Sequence, residues 1–154
     1  MASEQPSPSA ARARTPTVSP TWLRGLAAGL IGGLGAGVFL AVAAPIALAE
    51  TLPGLLGASG AGTGWLVLFA GSGLLGIAFT EAAERRPLRR PLSTAVVLGI
   101  GYAVVLWLVA GLAVPTWLGV VGVDGLPVPW LDPTVLAGLL LYGVVLGIGH
   151  WLFG

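Results

Sequence analysis

From Trp22 to Phe153 the chain carries four apolar runs of membrane-spanning length, and apart from Arg24 at the foot of the first there is no Asp, Glu, Lys or Arg between their ends. About 20 helical residues cross a hydrocarbon core of roughly 30 Å. Inside that core the backbone has no water to bond, so each run must satisfy its own N–H and C=O groups as a helix. The expected fold is all-α, a compact polytopic bundle of four transmembrane helices at about 20–49, 63–80, 93–114 and 133–153. Only 8% of the residues are charged and 56% are hydrophobic, where a soluble domain carries about 25% charged residues. Mean hydropathy is +0.95.

The basic residues orient the bundle. All seven are arginines, at Arg12 and Arg14, at Arg24, and at Arg85, Arg86, Arg89 and Arg90. Cytoplasmic loops carry the Lys/Arg excess, so arginines before run one and between runs two and three place both termini inside, in a multi-pass protein of the cell membrane. The inner segments then total +4, with Glu4, Glu81 and Glu84 set against the arginines, and the outer ones −3 from Glu50, Asp124 and Asp132. Arg85, Arg86, Arg89 and Arg90 can also attract anionic headgroups, at about 1 kcal/mol each, or dock a soluble partner. A topology anchor explains them fully.

Residues 1–19 are rich in Ser, Pro, Ala and Arg and bury too little to offset ordering, so they read as a disordered cytoplasmic leader before a membrane domain at 20–154. Ser19 and Pro20 offer a cap and a first helical position. Ser93 can cap the third helix, Pro115 stop it, and Asp132 with Pro133 open the fourth. The second run is expected to be the shortest span. Pro45 followed by Ala47, Leu48 and Ala49 also resembles a signal-peptide cleavage site, yet the apolar stretch exceeds the roughly 7–15 residues of a signal core, and retention is expected. The connection Pro115–Leu131 is too apolar for water and too broken by proline to span. It is expected at the outer interface or folded over the bundle, with Trp65, Trp117 and Trp130 in an outer aromatic belt and Trp22 and Trp151 in an inner one.

Helix one repeats Gly25, Gly29, Gly33, Gly37 and Ala41 at four-residue spacing, beside a second row of Ala28, Gly32 and Ala36. Membrane helices associate through close backbone approach, which such small-residue stripes permit. The stripe serves either packing within the chain or a seam with another chain. Ser72 and Gly76, then Ala95, Gly99, Ala103 and Gly111, then Gly143 and Gly147 give each remaining helix a small-residue face. Gly35 and Gly37 are no nucleotide loop, since no strand precedes them and no acidic residue follows at the required distance.

Little chemistry is available. With no cysteine, disulfides, thiolate metal sites and cysteine nucleophiles are excluded. His150, the lone histidine, could ligate haem or relay protons, but at a helix C-terminus beside Trp151 it reads more simply as an interfacial residue favoured by the helix dipole. Glu50 is expected to be solvated. Tyr102 and Tyr142 fall mid-helix, where each hydroxyl needs a partner; with Ser72 they form a candidate polar cluster, either internal glue or the lining of a small pocket. Ion-coupled transporters, pumps and voltage sensors depend on ionisable groups inside the membrane, and their lack here argues against those classes. No cofactor, metal or nucleic acid is expected.

Three stretches carry a resemblance. Gly64 and Trp65 followed by Ser72, Gly76 and Phe79, then Gly101 and Tyr102 leading through Trp107 to Pro115, Thr116, Trp117 and Leu118, then Gly138 leading to Tyr142, Gly143, Leu146 and Gly147 resemble a family of small, functionally uncharacterised four-helix membrane proteins common in halophilic archaea. The resemblance implies a four-helix fold over helices two to four. It also implies histidines at positions matching Leu68, Gly71 and Leu139, which this chain lacks, so no ligand set carries over.

The expectation from sequence is a noncatalytic integral membrane protein, an accessory or assembly subunit of a larger complex or homo-oligomer, with the helix-one stripe and the apolar connection as contact surfaces. The alternative is a small channel or carrier for a neutral or lipidic solute. Because the chain has no cysteine, one introduced thiol reports its side of the membrane: Ser93→Cys is expected to react only from the cytoplasmic face and Ser59→Cys only from the opposite face with an impermeant maleimide.

Overall fold

The structure, a computed structural model, describes residues 20–85, 91–122 and 126–153. The leader with Ser19, the arginines Arg86, Arg89 and Arg90, and Asp124 lie outside the described residues. Among the described residues the chain is helical and has no strand: α1 (Thr21–Ala43), a π-helical turn (Ala47–Thr51) running into the short α2 (Leu52–Gly54), α3 (Ala61–Glu84), α4 (Leu92–Val120) and α5 (Pro133–Phe153). The four long helices are each long and apolar enough to cross a membrane.

Packing places α1 between α3 and α5, and α5 between α1 and α4, while α3 and α4 form no packed seam along their length. At one end, here the termini end, the start of α1 meets the finish of α3 where Thr21 Oγ1 donates to Glu84 Oε2 at 2.9 Å. The opposite, far end carries α2 and the Val128–Trp130 connection.

The inside of the bundle is built from small residues and the outside from large ones. In α1 the buried positions are Gly25, Ala28, Gly29, Gly32, Gly33, Ala36, Gly37 and Leu40, whereas Ile31, Val42, Leu66 and Leu74 are 57%, 82%, 70% and 68% exposed. An apolar perimeter of that extent is an aggregation surface in water and an ordinary one in lipid. A Cβ on Gly25 would stand 2.8 Å from both the Gly76 oxygen and Ile77 Cα, and one on Gly76 would stand 2.6 Å from Gly29 Cα. Gly33 closes on Ser72, and Gly37 receives the Trp65 ring. The stripe Gly25, Gly29, Gly33 and Gly37 therefore faces α3 within the same chain. Gly143 and Gly147 do the same work on the other side, lying against Gly99, Ala103, Ala95 and Val96 of α4.

Several element ends differ from those read in the sequence, and the prolines explain most of the differences. Helix one ends at Ala43 and not near residue 49, because Pro45 forces Ala44 out of the helical region, to φ −146° and ψ 63°. The chain then re-enters as the π-helical turn, in which Leu52 N–H reaches back to the Ala47 carbonyl. Pro115 does the opposite. It lies buried inside α4, which runs 29 residues to Val120 and does not stop at Val114. A proline at this position leaves the Gly111 carbonyl, four residues back, without its helical donor. The Trp130 N–H returns from the connection and donates to that oxygen at 2.7 Å, so the helix survives because its orphaned acceptor is filled.

The remaining ends follow local chemistry. Ser93 does not cap α4: Pro91, with φ −61° and ψ 153°, takes the cap position and Ser93 already lies in the first turn. Asp132 does cap α5, its Oδ1 accepting from Thr134 N at 2.6 Å and Val135 N at 3.3 Å. Helix α3 begins at Ala61 and continues past Thr80 to Glu84, so its 24 residues are more than the 21 of α5 and it is not the shortest span.

The glycine crossing of α4 on α5 yields a paired prediction. A side chain at Gly99 would meet the Gly143 carbonyl carbon at 2.9 Å, whereas one at Gly101 meets nothing within 4 Å. Gly99→Leu is expected to destabilise by about 1–3 kcal/mol or more through overpacking and Gly101→Leu to be near neutral, read as midpoints of unfolding in dodecyl sulfate titrations of the reconstituted protein.

Candidate functional site

Two tyrosines organise the middle of the bundle. Tyr142 of α5 is 2% exposed, and its ring fits a notch that exists because Gly32 has no side chain; a Cβ there would lie 2.8 Å from Tyr142 Cδ2. Its hydroxyl crosses to α3 and donates to the Ser72 carbonyl at 2.6 Å. Tyr102 of α4 reaches the same stretch of α3 from the other side, donating to the Leu75 carbonyl at 3.0 Å with its ring 5.3 Å from that of Phe79. The Ser72 hydroxyl turns back on its own helix and donates to the Phe69 carbonyl at 3.1 Å.

The structure thus brings Ser72, Tyr102 and Tyr142 together, but not hydroxyl to hydroxyl. Both tyrosines bond helix backbone. In a helix, the side chain four residues on leans back over a carbonyl. At Gly76 there is none, and the Ser72 oxygen is left open to a second donor.

Beyond this level no packed seam joins α3 to α4, and the space between them is a cavity of about 290 Å³. Its floor is Gly33, Ala36 and Leu40 of α1 with Gly138, Leu139 and Tyr142 of α5; its walls are Val67, Leu68, Gly71 and Leu75 of α3 and Ala110 and Val114 of α4. Ala47, Thr51, Leu52, Leu55 and Trp130 close in at the far end. There the Trp117 indole N–H donates to the Leu55 carbonyl at 2.9 Å, tying the overhang of α4 to the segment after α2. Trp107 likewise donates to the Asp132 carbonyl at 3.0 Å and fixes the start of α5 against α4. The cavity is therefore a slot bracketed by two hydrogen-bonded straps, Tyr102 to Leu75 and Trp117 to Leu55. From Tyr102 to Trp117 is roughly 22 Å along a helix axis.

The lining is hydrocarbon apart from Ser72, Tyr142, Thr51 and the indole of Trp130. Among the described residues no buried side-chain nitrogen or oxygen lacks a hydrogen-bond partner, and no group of three His, Asp or Glu side chains is placed to hold a metal ion. Leu68, Gly71 and Leu139 all line the slot, so at these positions its walls are apolar.

The other sequence candidates lie elsewhere. His150 sits in the last turn of α5, its ring edge-on to Phe79 at 5.9 Å, and Glu50 is exposed in the π-helical turn. Arg85 forms the C-cap of α3 at the termini end. Trp65 stacks on Phe69 at 5.4 Å and lies against Gly37.

Comparison with family models, with characterised proteins and with solved structures finds no match.

Removing the Tyr142 hydroxyl tests the strap chemistry. Tyr142→Phe keeps the ring in its Gly32 notch and leaves the Ser72 carbonyl its helical donor, so the expected loss is only about 0.6 kcal/mol, the typical value for a hydrogen bond between membrane helices. Gly32→Leu removes the notch itself and is expected to cost several times more in the same unfolding titration.

Proposed function

We propose that this chain is a noncatalytic multi-pass protein of the cell membrane, with both termini cytoplasmic, that binds and carries a neutral or lipidic molecule in the slot between α3 and α4. One observation carries the reading: an apolar cavity of about 290 Å³ between α3 and α4, in a bundle whose α1–α3 and α4–α5 seams close on glycine contacts. Ligand pockets of small-molecule size begin at roughly 300 Å³ and are lined mainly by apolar side chains with a few polar groups. The motifs in helices two to four support reading the chain as similar to the small four-helix proteins of halophilic archaea, from whose pattern it differs in having Leu68, Gly71 and Leu139 along the slot.

A second reading, an accessory or assembly subunit, rests on a different feature. Helix α4 packs on α5 along one face, while Val97, Val105, Leu108, Val109 and Leu112 are exposed on the rest of it. A second copy or another membrane subunit could cover that face. The helix-one glycine stripe is not available for this role, since α3 already occupies it.

The test is whether the purified protein retains a guest. After transfer from mild detergent into amphipol, mass spectrometry of the wild-type protein is expected to find a nonpolar molecule near one per chain. Gly71→Trp, which places an indole where an added Cβ would meet no atom within 4 Å, is expected to lose it. Equal content in the two proteins would remove the carrier reading. A clean monomer without any co-purifying chain in the same spectra would count against the subunit reading.

A further inference from the structure

Resting on the carrier reading above, we infer that the occupant of the slot is one hydrocarbon chain of a membrane lipid, entered sideways between α3 and α4 from the leaflet at the far end, with its headgroup left at that interface. Three observations lead to this chemistry.

The first is what the lining asks of a guest. The Ser72 and Tyr142 hydroxyls already donate to the Phe69 and Ser72 carbonyls, and no buried side-chain polar atom is left without a partner among the described residues. The other two polar side chains of the lining, Thr51 and Trp130, stand at the far end, where the headgroup is left; deeper in, a guest with its own donors or acceptors would enter the slot without partners and lose the bonds it made outside. A saturated or isoprenoid chain has none to lose. Water gains nothing there either, since apolar cavities stay dry.

The second is where the slot lies. Tyr102, which closes its inner end, is roughly 15 Å along α4 from Leu92, about half of a roughly 30 Å hydrocarbon core. The Trp117 strap closes the other end beyond the Pro115 turn. The slot thus runs through the far half of the core and past its edge, and ends blind at the midplane, where Tyr102 and Phe79 bridge α4 to α3. A chain entering from the far interface can reach Tyr142 with its methyl end and go no further.

The third is access. Because α3 and α4 form no packed seam, the slot wall between the straps opens toward the surrounding hydrocarbon and not toward water. Lipid tails are the fluid at that opening. No hydrophobic transfer energy is gained on entry, since lipid is as apolar as leucine; the gain is the dispersion contact that an unfilled slot lining forfeits.

The experiment uses the full chain in vesicles doped with phosphatidylcholine bearing a diazirine at a defined carbon of one acyl chain. After irradiation, adducts are mapped by mass spectrometry. A diazirine near the chain terminus is expected on peptides containing Ser72 or Tyr142, and one near the glycerol on peptides containing Leu55 or Trp130. Both Gly71→Trp and Ala110→Phe, two independent ways of filling the slot, are expected to lower slot adducts roughly tenfold while adducts at the exposed Leu66 and Leu74 persist. The second variant reads the result if the first does not fold. A parallel arm uses a headgroup-free diazirine alkane. Slot labelling by the alkane and not by the phospholipid would overturn the lipid inference and leave the carrier reading standing. Reversed order of adducts along the chain would overturn entry from the far leaflet. Labelling by neither probe would remove both readings together.

Discussion

The contact of α1 on α3 through bare backbone is the constraint on which the rest of the bundle depends. Between helices in lipid there is no hydrophobic effect to draw them together, so they must gain from packing at short range and from hydrogen bonds. Gly25, Gly29, Gly33 and Gly37 let α1 approach until a Cβ at Gly25 would collide with the Gly76 oxygen at 2.8 Å. The same glycines that permit approach also uncover acceptors. With no side chain at Gly76, the Ser72 carbonyl can take the Tyr142 hydroxyl, and α5 is thereby bonded to α3 across α1. One compositional choice on two helices thus fixes the position of a third.

A second constraint shapes the far end. Two prolines interrupt the backbone ladder, and their different outcomes come from what stands nearby. At Pro45 no partner compensates locally, α1 ends, and the chain turns over the start of α3, where Gly64 accommodates the Leu48 carbonyl. At Pro115 the freed Gly111 oxygen meets the Trp130 N–H, and Gly111 itself must be glycine-sized because a Cβ would lie 2.9 Å from the Trp130 oxygen. The helix continues, and its overhang carries Trp117 to Leu55. The strap at the far end of the slot is therefore a consequence of a proline repaired in trans by the connection that follows it.

Much of this was legible in the sequence because lipid makes the rules local. Apolar runs without charges define helices, and small residues at four-residue spacing define faces, so the four helices and their glycine faces follow from pattern, while the pairing of the helix-one stripe with α3 comes from the structure. The Asp132 cap is legible for the same reason. What pattern could not supply is long range. Nothing near Pro115 announces that Trp130 will complete its ladder, so a stop was the natural expectation there. The tyrosines could be placed mid-helix, but their partners are carbonyls, and an open carbonyl leaves no mark in the sequence except the absence of a side chain four residues later. The slot itself has only a faint signal, in Gly71 and Ala110, small residues that face no partner helix closely.

Small residues of that kind also explain why a cavity persists in a chain so rich in packing motifs. They close a gap only when the opposite helix presents a matching small face, as α3 does to α1 and α4 does to α5. Between α3 and α4 the facing positions are Leu68, Gly71 and Leu75 on one side and Ala110 and Val114 on the other. Leu68, Leu75 and Val114 are too large to allow backbone contact, and Gly71 and Ala110 too small to fill the space the straps hold open. Collapse would require α4 to leave the Gly99–Gly143 crossing or α3 to leave the glycine stripe, each breaking close packing over several turns. The void is thus held by the surrounding contacts, and in a bilayer such a void, facing mobile hydrocarbon, is more favourably filled than empty.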